Sequence, residues 1–422
     1  MKTTAVRMYG KEDLRLETFE LPEIGDDEIL AKIVSDSLCM SSYKAAKQGS
    51  DHKRVPDNIA EHPVMLGHEM CGELVKVGSK WASDFTAGQK FSMQPALNYK
   101  GSLDAPGYSY QYCGGDATYI ILPNEVMEMG CLLPYEGDAF FLGSLAEPVS
   151  CVAGGSHANF HVKQGTYVHD MGIKEGGRTL IFGGAGPMGF AFIDYILHCD
   201  RRPGHFVVVD IDQAKLDRAA SIYTPEASAK DGITVKYVNG KSFDDLEQGL
   251  RDQVPGGEYD DIFVFAPVRF MVELSDKLLA LDGCLNFFAG PTDTNFEATI
   301  NFYNVHYAFH HFVATSGGNT DDMKEALQLM GSGRINPAAM ITHVAGLNAV
   351  PETTLSLPEI PGGKKLIYTH VRMPLVALED LEARKDEHPM FGPLAEIVAR
   401  HNGLWNIEAE QYVLAHGEAI TA

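Results

Sequence analysis

One cysteine, one histidine and two glutamates stand out in this 422-residue chain for the chemistry they offer together. Cys39 comes first, Gly67-His68-Glu69 follows after the β-rich start, and Glu147 comes much later, in Leu145-Ala146-Glu147-Pro148. A thiolate, an imidazole and two carboxylates form a mixed soft and borderline donor set that suits zinc in a tetrahedral site. Each residue alone has an ordinary explanation: a small core cysteine, a hydrogen-bonded histidine, a glutamate near a helix start. A catalytic site needs an exchangeable position, so one carboxylate would swap with water or substrate. Residues this far apart meet only if a fold assembles them.

A second group of residues offers different chemistry. Gly184-Ala185-Gly186-Pro187-Met188-Gly189 fits G-x-G-x-x-G, with the apolar run Thr179-Leu180-Ile181-Phe182 before it and a helical pattern after it. Gly184 permits a tight turn, Gly186 lets backbone amides approach a pyrophosphate, and Gly189 lets the helix pack on the sheet. The helix N-terminus adds unpaired N–H groups and a positive dipole end. Asp210 ends the next apolar run, where a carboxylate accepts ribose hydroxyls and repels a 2′-phosphate. NAD is therefore favoured over NADP, although Lys215 lies near enough to keep NADP use open.

The elements that must position these groups fall into an α/β pattern. The first third is β-rich, with strands expected over 28–34 and 72–77 between Gly, Pro and Asp punctuation. A long Gly- and Tyr-rich loop follows at 98–115. From about Arg178 strands and helices alternate: strands at 179–182, 206–210, 261–265 and 285–288, helices at 188–198 and 216–223. Such alternation implies a parallel sheet covered on both faces. A helix is expected at 320–330, capped by Gly331, and a tail from about Leu378.

Bulk composition narrows the function classes. The formal net charge of −23 argues against nucleic acid and anionic membranes as partners, because both demand Lys and Arg. No run is long and apolar enough for a membrane span, and no apolar leader follows Met1. The seven cysteines form no dense framework, which points to a reduced, cytoplasmic setting.

Taken in order, Cys39-Met40-Ser41, Gly67-His68-Glu69, Ala146-Glu147-Pro148, Gly184 to Gly189 and Asp210 make the chain resemble the medium-chain zinc alcohol and polyol dehydrogenases. The segment 361–366 and the C-terminal residues make it most similar to the sorbitol and sugar-phosphate dehydrogenases, in the L-sorbose 1-phosphate reductase-like branch. The resemblance implies a GroES-like β-rich catalytic domain plus a Rossmann domain with a doubly wound parallel sheet. Boundaries are expected at 1–160 for the first part of the catalytic domain, 161–318 for the NAD-binding domain, and 319–422 for the return. It further implies zinc on Cys39, His68 and Glu147, with Glu69 as a swapping ligand, and a homodimer or homotetramer.

The sequence also departs from that pattern. Met40 replaces a glycine, Ser42 replaces an acid, and Lys44 lies near where a relay histidine is absent. The region 91–119 keeps only Cys113 of a four-cysteine structural zinc loop, so one catalytic zinc and no structural zinc are expected. The segment 156–175 is long and carries His157, His161 and His169, which could line the site or serve the loop.

The implied reaction moves a hydride between the cofactor and a polyol or ketose, or its phosphate, with zinc acting on the substrate oxygen. Ser41 is placed to pass the proton, with Tyr43 and Lys44 as candidates to complete the relay and Glu69 beside the metal. His52-Lys53-Arg54 could serve a phosphate. Asn304 to Tyr307 and the pair His310-His311 are candidates for substrate or oligomer contacts, and Lys365 is assigned by family analogy to the pyrophosphate. Three rivals remain at this level: a dehydrogenase of unphosphorylated polyols or simple alcohols, a non-catalytic nucleotide-binding protein, and a zinc-free reductase of the same superfamily.

Overall fold

A computed structural model describes residues 1–291 and 293–420, which form two compact units. The first contains Met1–Glu147 and the chain from Ala338 onward; the second is Pro148–Pro337. The boundaries thus fall at 147/148 and 337/338, not at 160/161 and 318/319. The helix Thr320–Gly331, whose Asn319 side chain caps its first turn, stays with the second unit. It ends at Ser332; Gly331 is its last residue and not its cap. Among the described residues no helix is long and apolar enough to cross a membrane.

The first unit is built on the strand Ile29–Leu38, nearly all of it buried. This strand pairs antiparallel with Cys71–Val77, with Tyr119–Leu122 and with Lys364–Tyr368, so segments from three distant parts of the chain meet along it. The sheet continues through Ile341–Gly346 and Val376–Ala377 on one side, and through Lys90–Met93 and Leu132–Pro134 on the other. A smaller sheet pairs Lys2–Gly10 with Asp13–Glu20 and with Val64–Met65, which delivers the chain to Gly67.

Residues 378–420 are folded, in contrast to the tail expected from about Leu378. Helices Phe391–Arg400 and Ile407–His416 close a core around Trp405, Leu394, Phe391 and Tyr368. Their deepest polar group is Glu410. Its carboxylate accepts the N–H groups of Phe140 at 2.7 Å and Phe141 at 2.8 Å, the first residues of the helix Phe140–Ala158. Tyr368 donates its hydroxyl to Glu410 at 3.1 Å, and Trp405 Nε1 donates to Tyr368 at 2.8 Å. Helix starts leave N–H groups without intrahelical partners and carry a positive dipole end, so a carboxylate here satisfies both needs.

The second unit contains a six-stranded, all-parallel sheet. Its order is Thr234–Asn239, His205–Asp210, Arg178–Phe182, Tyr259–Val264, Leu279–Phe287, His311–Val313. Its central strands carry short buried apolar runs at 180–182, 206–209 and 262–264. The first strand lies in the middle with later strands on both sides, the switch-point arrangement of a doubly wound sheet.

The three histidines of the 156–175 segment all have partners within this unit. His161 sits buried against Asp261, with Nε2 to Oδ1 at 3.2 Å. His169 stacks on Phe160 at 4.3 Å. His157 lies 2.7 Å from Asp322 and 3.1 Å from Glu325, and Tyr195 donates to Glu325 at 2.9 Å. The hydrogen bonds to Asp322 and Glu325 raise the His157 pKa to about 9.

Two outcomes follow. Glu410→Ala strands two helix N–H groups and the Tyr368 hydroxyl, so urea unfolding should show a loss of about 2–4 kcal/mol. The His157 imidazole, with a folded pKa above its ordinary value, contributes its stability fully below about pH 6.5 and loses it as pH rises through 9. The difference in melting temperature between the protein and His157→Gln should therefore shrink between those values; a pH-independent difference would show that the ion pairs do not stabilise the fold.

Candidate functional site

Cys39 is the N-cap residue of the helix Met40–Gln48 and directly follows the central strand. His68 and Glu69 follow the short strand Val64–Met65 on a loop that turns at Gly67, whose φ is +91°. A side chain at Gly67 would place Cβ 2.1 Å from Asp36 Oδ2 and 2.3 Å from the Asp116 amide, so only glycine fits. The Glu69 amide donates to Asp36 Oδ1 at 3.0 Å, which ties the loop to the strand that leads to Cys39.

These constraints bring Cys39, His68 and Glu69 together: one ligand atom from each lies within 4.8 Å of the other two. His68 and Glu69 are fully buried. Zinc–sulfur and zinc–nitrogen bonds of about 2.3 and 2.0–2.1 Å put donors on one ion within roughly 4 Å of each other. The set fits such an ion in kind and in spacing, with a closure of about 1 Å or less. Both nitrogens of His68 have polar neighbours. Nδ1 lies 3.2 Å from Ser42 Oγ, while Nε2 lies 3.1 Å from Ser41 Oγ and 3.2 Å from Tyr108 Oη. Ser41 also donates to Cys39 Sγ at 3.0 Å.

Glu147 sits in the helix Phe140–Ala158, outside the group of three but in the same electrostatic field. Burial, and then the Glu69 charge, push its pKa up to about 7, against the pull of His68 and Lys364. Burial likewise raises the Cys39 thiol, which Lys364 opposes. Asp36 is pushed well up by burial and by the charges of Asp116 and Glu69. Asp116, also buried, rises to about 7, and neither of its carboxyl oxygens has a hydrogen-bond partner among the described residues.

The residue that sequence reasoning missed is Lys364. Its ammonium donates to both oxygens of Glu69, to Oε2 at 2.5 Å, and Ser37 donates to the same carboxylate. Both partners are buried. Burial works against the Lys364 charge, but Glu69, Cys39 and Glu147 outweigh it and hold its pKa above the ordinary lysine value. Lys365 pairs in register with Leu38, so Lys364 falls level with the start of the ligand helix. Successive strand residues face opposite ways. Lys365, assigned above to the pyrophosphate, accordingly turns from the site and donates to the carbonyls of Ile360, Pro361 and Gly363, the last at 2.8 Å.

Tyr108 was also missed, in the irregular loop whose only visible signal is its Gly and Tyr content. Tyr43 packs against the core around Val6, Leu38 and Ala45. Lys44 lies on the same helix, and its charge reaches His52.

In the second unit the glycine turn joins Arg178–Phe182 to the helix Pro187–His198, with Gly186 as N-cap and Pro187 and Met188 opening the helix. The left-handed residue is Gly183, φ +73°, and not Gly184. Gly184 is required for another reason: a Cβ there would meet Val208 at 2.7 Å and Ile181 at 2.9 Å. At Gly189 it would meet the Gly184 carbonyl at 2.1 Å, whereas at Gly186 the nearest atom is 3.7 Å away. Space is left at the one position where a ligand's phosphate would approach. Asp210 ends its strand and accepts the Ala185 amide at 3.0 Å, which braces the turn. Lys215 pairs with Asp212 at 3.6 Å. His310 and His311 pair with Asp276 and Asp282, at 3.2 and 2.8 Å.

Comparison with known proteins agrees with this geometry. The description "Alcohol dehydrogenase GroES-like domain" matches residues 25–132. L-sorbose 1-phosphate reductase of Klebsiella pneumoniae is 51% identical over 423 residues, covering 99% of this chain and 99% of its own length. The chain belongs to the zinc-dependent alcohol and polyol dehydrogenases. Mannitol-1-phosphate 5-dehydrogenase of Aliivibrio fischeri is 48% identical to the dehydrogenase over 413 residues, 98% of this chain and 97% of its own. Of solved structures, 2R,3R-butanediol dehydrogenase from Bacillus subtilis has a TM-score of 0.69 at 18% identity, covering 87% of the dehydrogenase and 99% of its own chain. At that identity the likeness shows the fold alone: a GroES-like β-rich part with a Rossmann-type sheet. The dehydrogenase is an oxidoreductase.

Removing one partner of a buried ion pair leaves the other charge uncompensated. Lys364→Met should therefore lower stability by about 3–5 kcal/mol in urea unfolding, and Glu69→Leu added to it should restore most of that loss. A double variant as unstable as the single one would show that the pair is not what matters.

Proposed function

We propose that the dehydrogenase interconverts a ketose phosphate and the corresponding polyol phosphate with NAD(H), using one zinc ion per chain and no structural zinc. The observation that carries this reading is the meeting of Cys39, His68 and Glu69 within 4.8 Å. Cys39, His68 and Glu147 would hold the ion, with Glu69 as the exchanging carboxylate. When bound, zinc supplies a Lewis acid for the substrate oxygen and the nicotinamide carries the hydride. The phosphorylated substrate is supported by the full-length likeness to two enzymes named for sugar phosphates.

The chain's own residues manage protons and orientation. The Ser41 hydroxyl touches both Cys39 Sγ and His68 Nε2, so it can hold the proton exchanged with the substrate oxygen. Tyr108 Oη, 3.2 Å from the same nitrogen, continues that path in place of Tyr43. Lys364 holds the Glu69 carboxylate in place by donating to both of its oxygens, and Glu69 would be the carboxylate able to exchange at the metal. In the second unit the turn at 184–189 receives the pyrophosphate at a helix start. Asp210 favours NAD, and Lys215 is the cation through which NADP use is retained.

Assembly as a homodimer or homotetramer is supported by Phe302, Tyr303, Tyr307 and Phe309, which are 52–76% exposed near the edge strand His311–Val313. Seven free cysteines support a cytoplasmic setting.

The test is a panel of L-sorbose 1-phosphate, L-sorbose and simple alcohols with NADH or NAD, followed by cofactor absorbance, together with metal analysis. We expect preference for the phosphorylated sugar, one zinc per chain, loss of turnover on chelation with recovery on adding zinc, and no zinc in Cys39→Ser. Full activity after complete zinc removal, or equal use of L-sorbose and its phosphate, would sink the corresponding part of the reading.

A further inference from the structure

We propose that Arg54, beside Tyr108, forms with Lys53 and Lys44 the subsite for the phosphate group of the substrate. The inference rests on the phosphorylated-substrate reading above and names the residues that would enforce it.

Tyr108 is the organising group. Its ring is buried, 4.8 Å from the His68 ring, and its hydroxyl lies 3.2 Å from His68 Nε2. The same ring stacks with His52 at 5.9 Å and an interplanar angle of 10°, and the Arg54 guanidinium lies 5.8 Å from its centroid. One rigid side chain therefore touches a metal-site histidine and also a cationic cluster.

The cluster runs against the overall charge of −23. Arg54, Lys53 and Lys44 all bear on His52: after burial, their positive charges hold its imidazole below the ordinary pKa. Asp51, two residues before Lys53, is paired with Lys11, and Asp104, beside Leu103, accepts the Ser102 hydroxyl at 2.7 Å. Arg54 is held in place by its bond to the Leu103 carbonyl at 3.2 Å and by Ser109 Oγ, which donates to the Arg54 carbonyl at 2.6 Å. A guanidinium has five N–H donors in a fork that matches phosphate oxygens, and lysines add mobile point charge. Three cations at one edge of the site match a dianionic phosphate monoester and offer nothing to a neutral polyol.

The experiment uses the full-length protein and compares kcat/KM for L-sorbose 1-phosphate with that for L-sorbose, with NADH. Arg54→Ala should reduce the preference for the phosphorylated sugar by about tenfold or more, mainly through KM, with Arg54→Lys reduced less. Lys53→Ala, at an exposed position where folding is not at stake, should reduce it in the same direction. Inorganic phosphate should compete with the sugar phosphate, and less well in Arg54→Ala, which separates affinity for phosphate itself from effects on the sugar. Lys47→Ala removes a charge from the same helix as Lys44 but one paired with Glu12, and should leave the preference unchanged. If Arg54→Ala and Lys53→Ala keep the preference and the phosphate inhibition of the unaltered protein, the subsite is overturned while the phosphorylated-substrate reading stands. If the unaltered protein shows no preference, that reading fails and the subsite with it.

Discussion

Two groups that have left water entirely, the Glu69 carboxylate and the Lys364 ammonium, set the terms for everything around them. Each alone would be costly at its depth, and only their contact makes the burial tolerable. That contact requires the strand Lys364–Tyr368 to lie beside Ile29–Leu38 in a fixed register, because a slip of one residue would present Lys365 instead. The same strand ends at the ligand cysteine, and its Asp36 catches the amide of Glu69. Thus one sheet register, one ion pair and one side chain to backbone bond hold three donors together before any ion arrives. Such preorganisation is what a catalytic metal site needs from its protein.

The surrounding acids show how a buried site limits its own charge. Asp36, Asp116 and Glu147 are all pushed toward the neutral form by burial and by the charge of Glu69. Lys364 offsets Glu69, so the pocket does not accumulate the full negative charge its composition suggests. The acid that the family resemblance leads one to expect at position 42 is a serine, yet the hydroxyl still meets His68 Nδ1. The carboxylate charges acting on that histidine are those of Glu147 and then Glu69, with Asp116 a lesser one.

What the sequence revealed, and what it hid, divides by range. Cys39, Gly67-His68-Glu69 and the glycine turn announce themselves because each depends on residue types within a few positions. Four of the six parallel strands of the second unit were visible as short apolar runs; Thr234–Asn239, with polar residues among its apolar ones, and the three-residue His311–Val313 were not. Lys364 was invisible because its role depends on a partner 295 residues away, and two adjacent lysines differ only in which side of a strand they face. Tyr108 lies in a loop without periodicity. The position of Gly183 was displaced by one because the motif's first glycine is needed for close packing while its neighbour makes the bend. The folded C-terminal helices were read as a tail because their partners, the start of Phe140–Ala158 and the strand Lys364–Tyr368, carry no local signature of that contact.

The Glu410 cap has a consequence for how the molecule is made. A ribosome releases the helix that carries Glu147 long before it releases the carboxylate that closes that helix, 270 positions later. During synthesis the Phe140 and Phe141 amides must rely on water, and the first unit cannot settle until Ala338 and the residues beyond it emerge. The parallel sheet of Pro148–Pro337 has no such debt and is free to form in the interval. Completion therefore does not follow chain order: the middle of the chain has all of its strands before the first unit does.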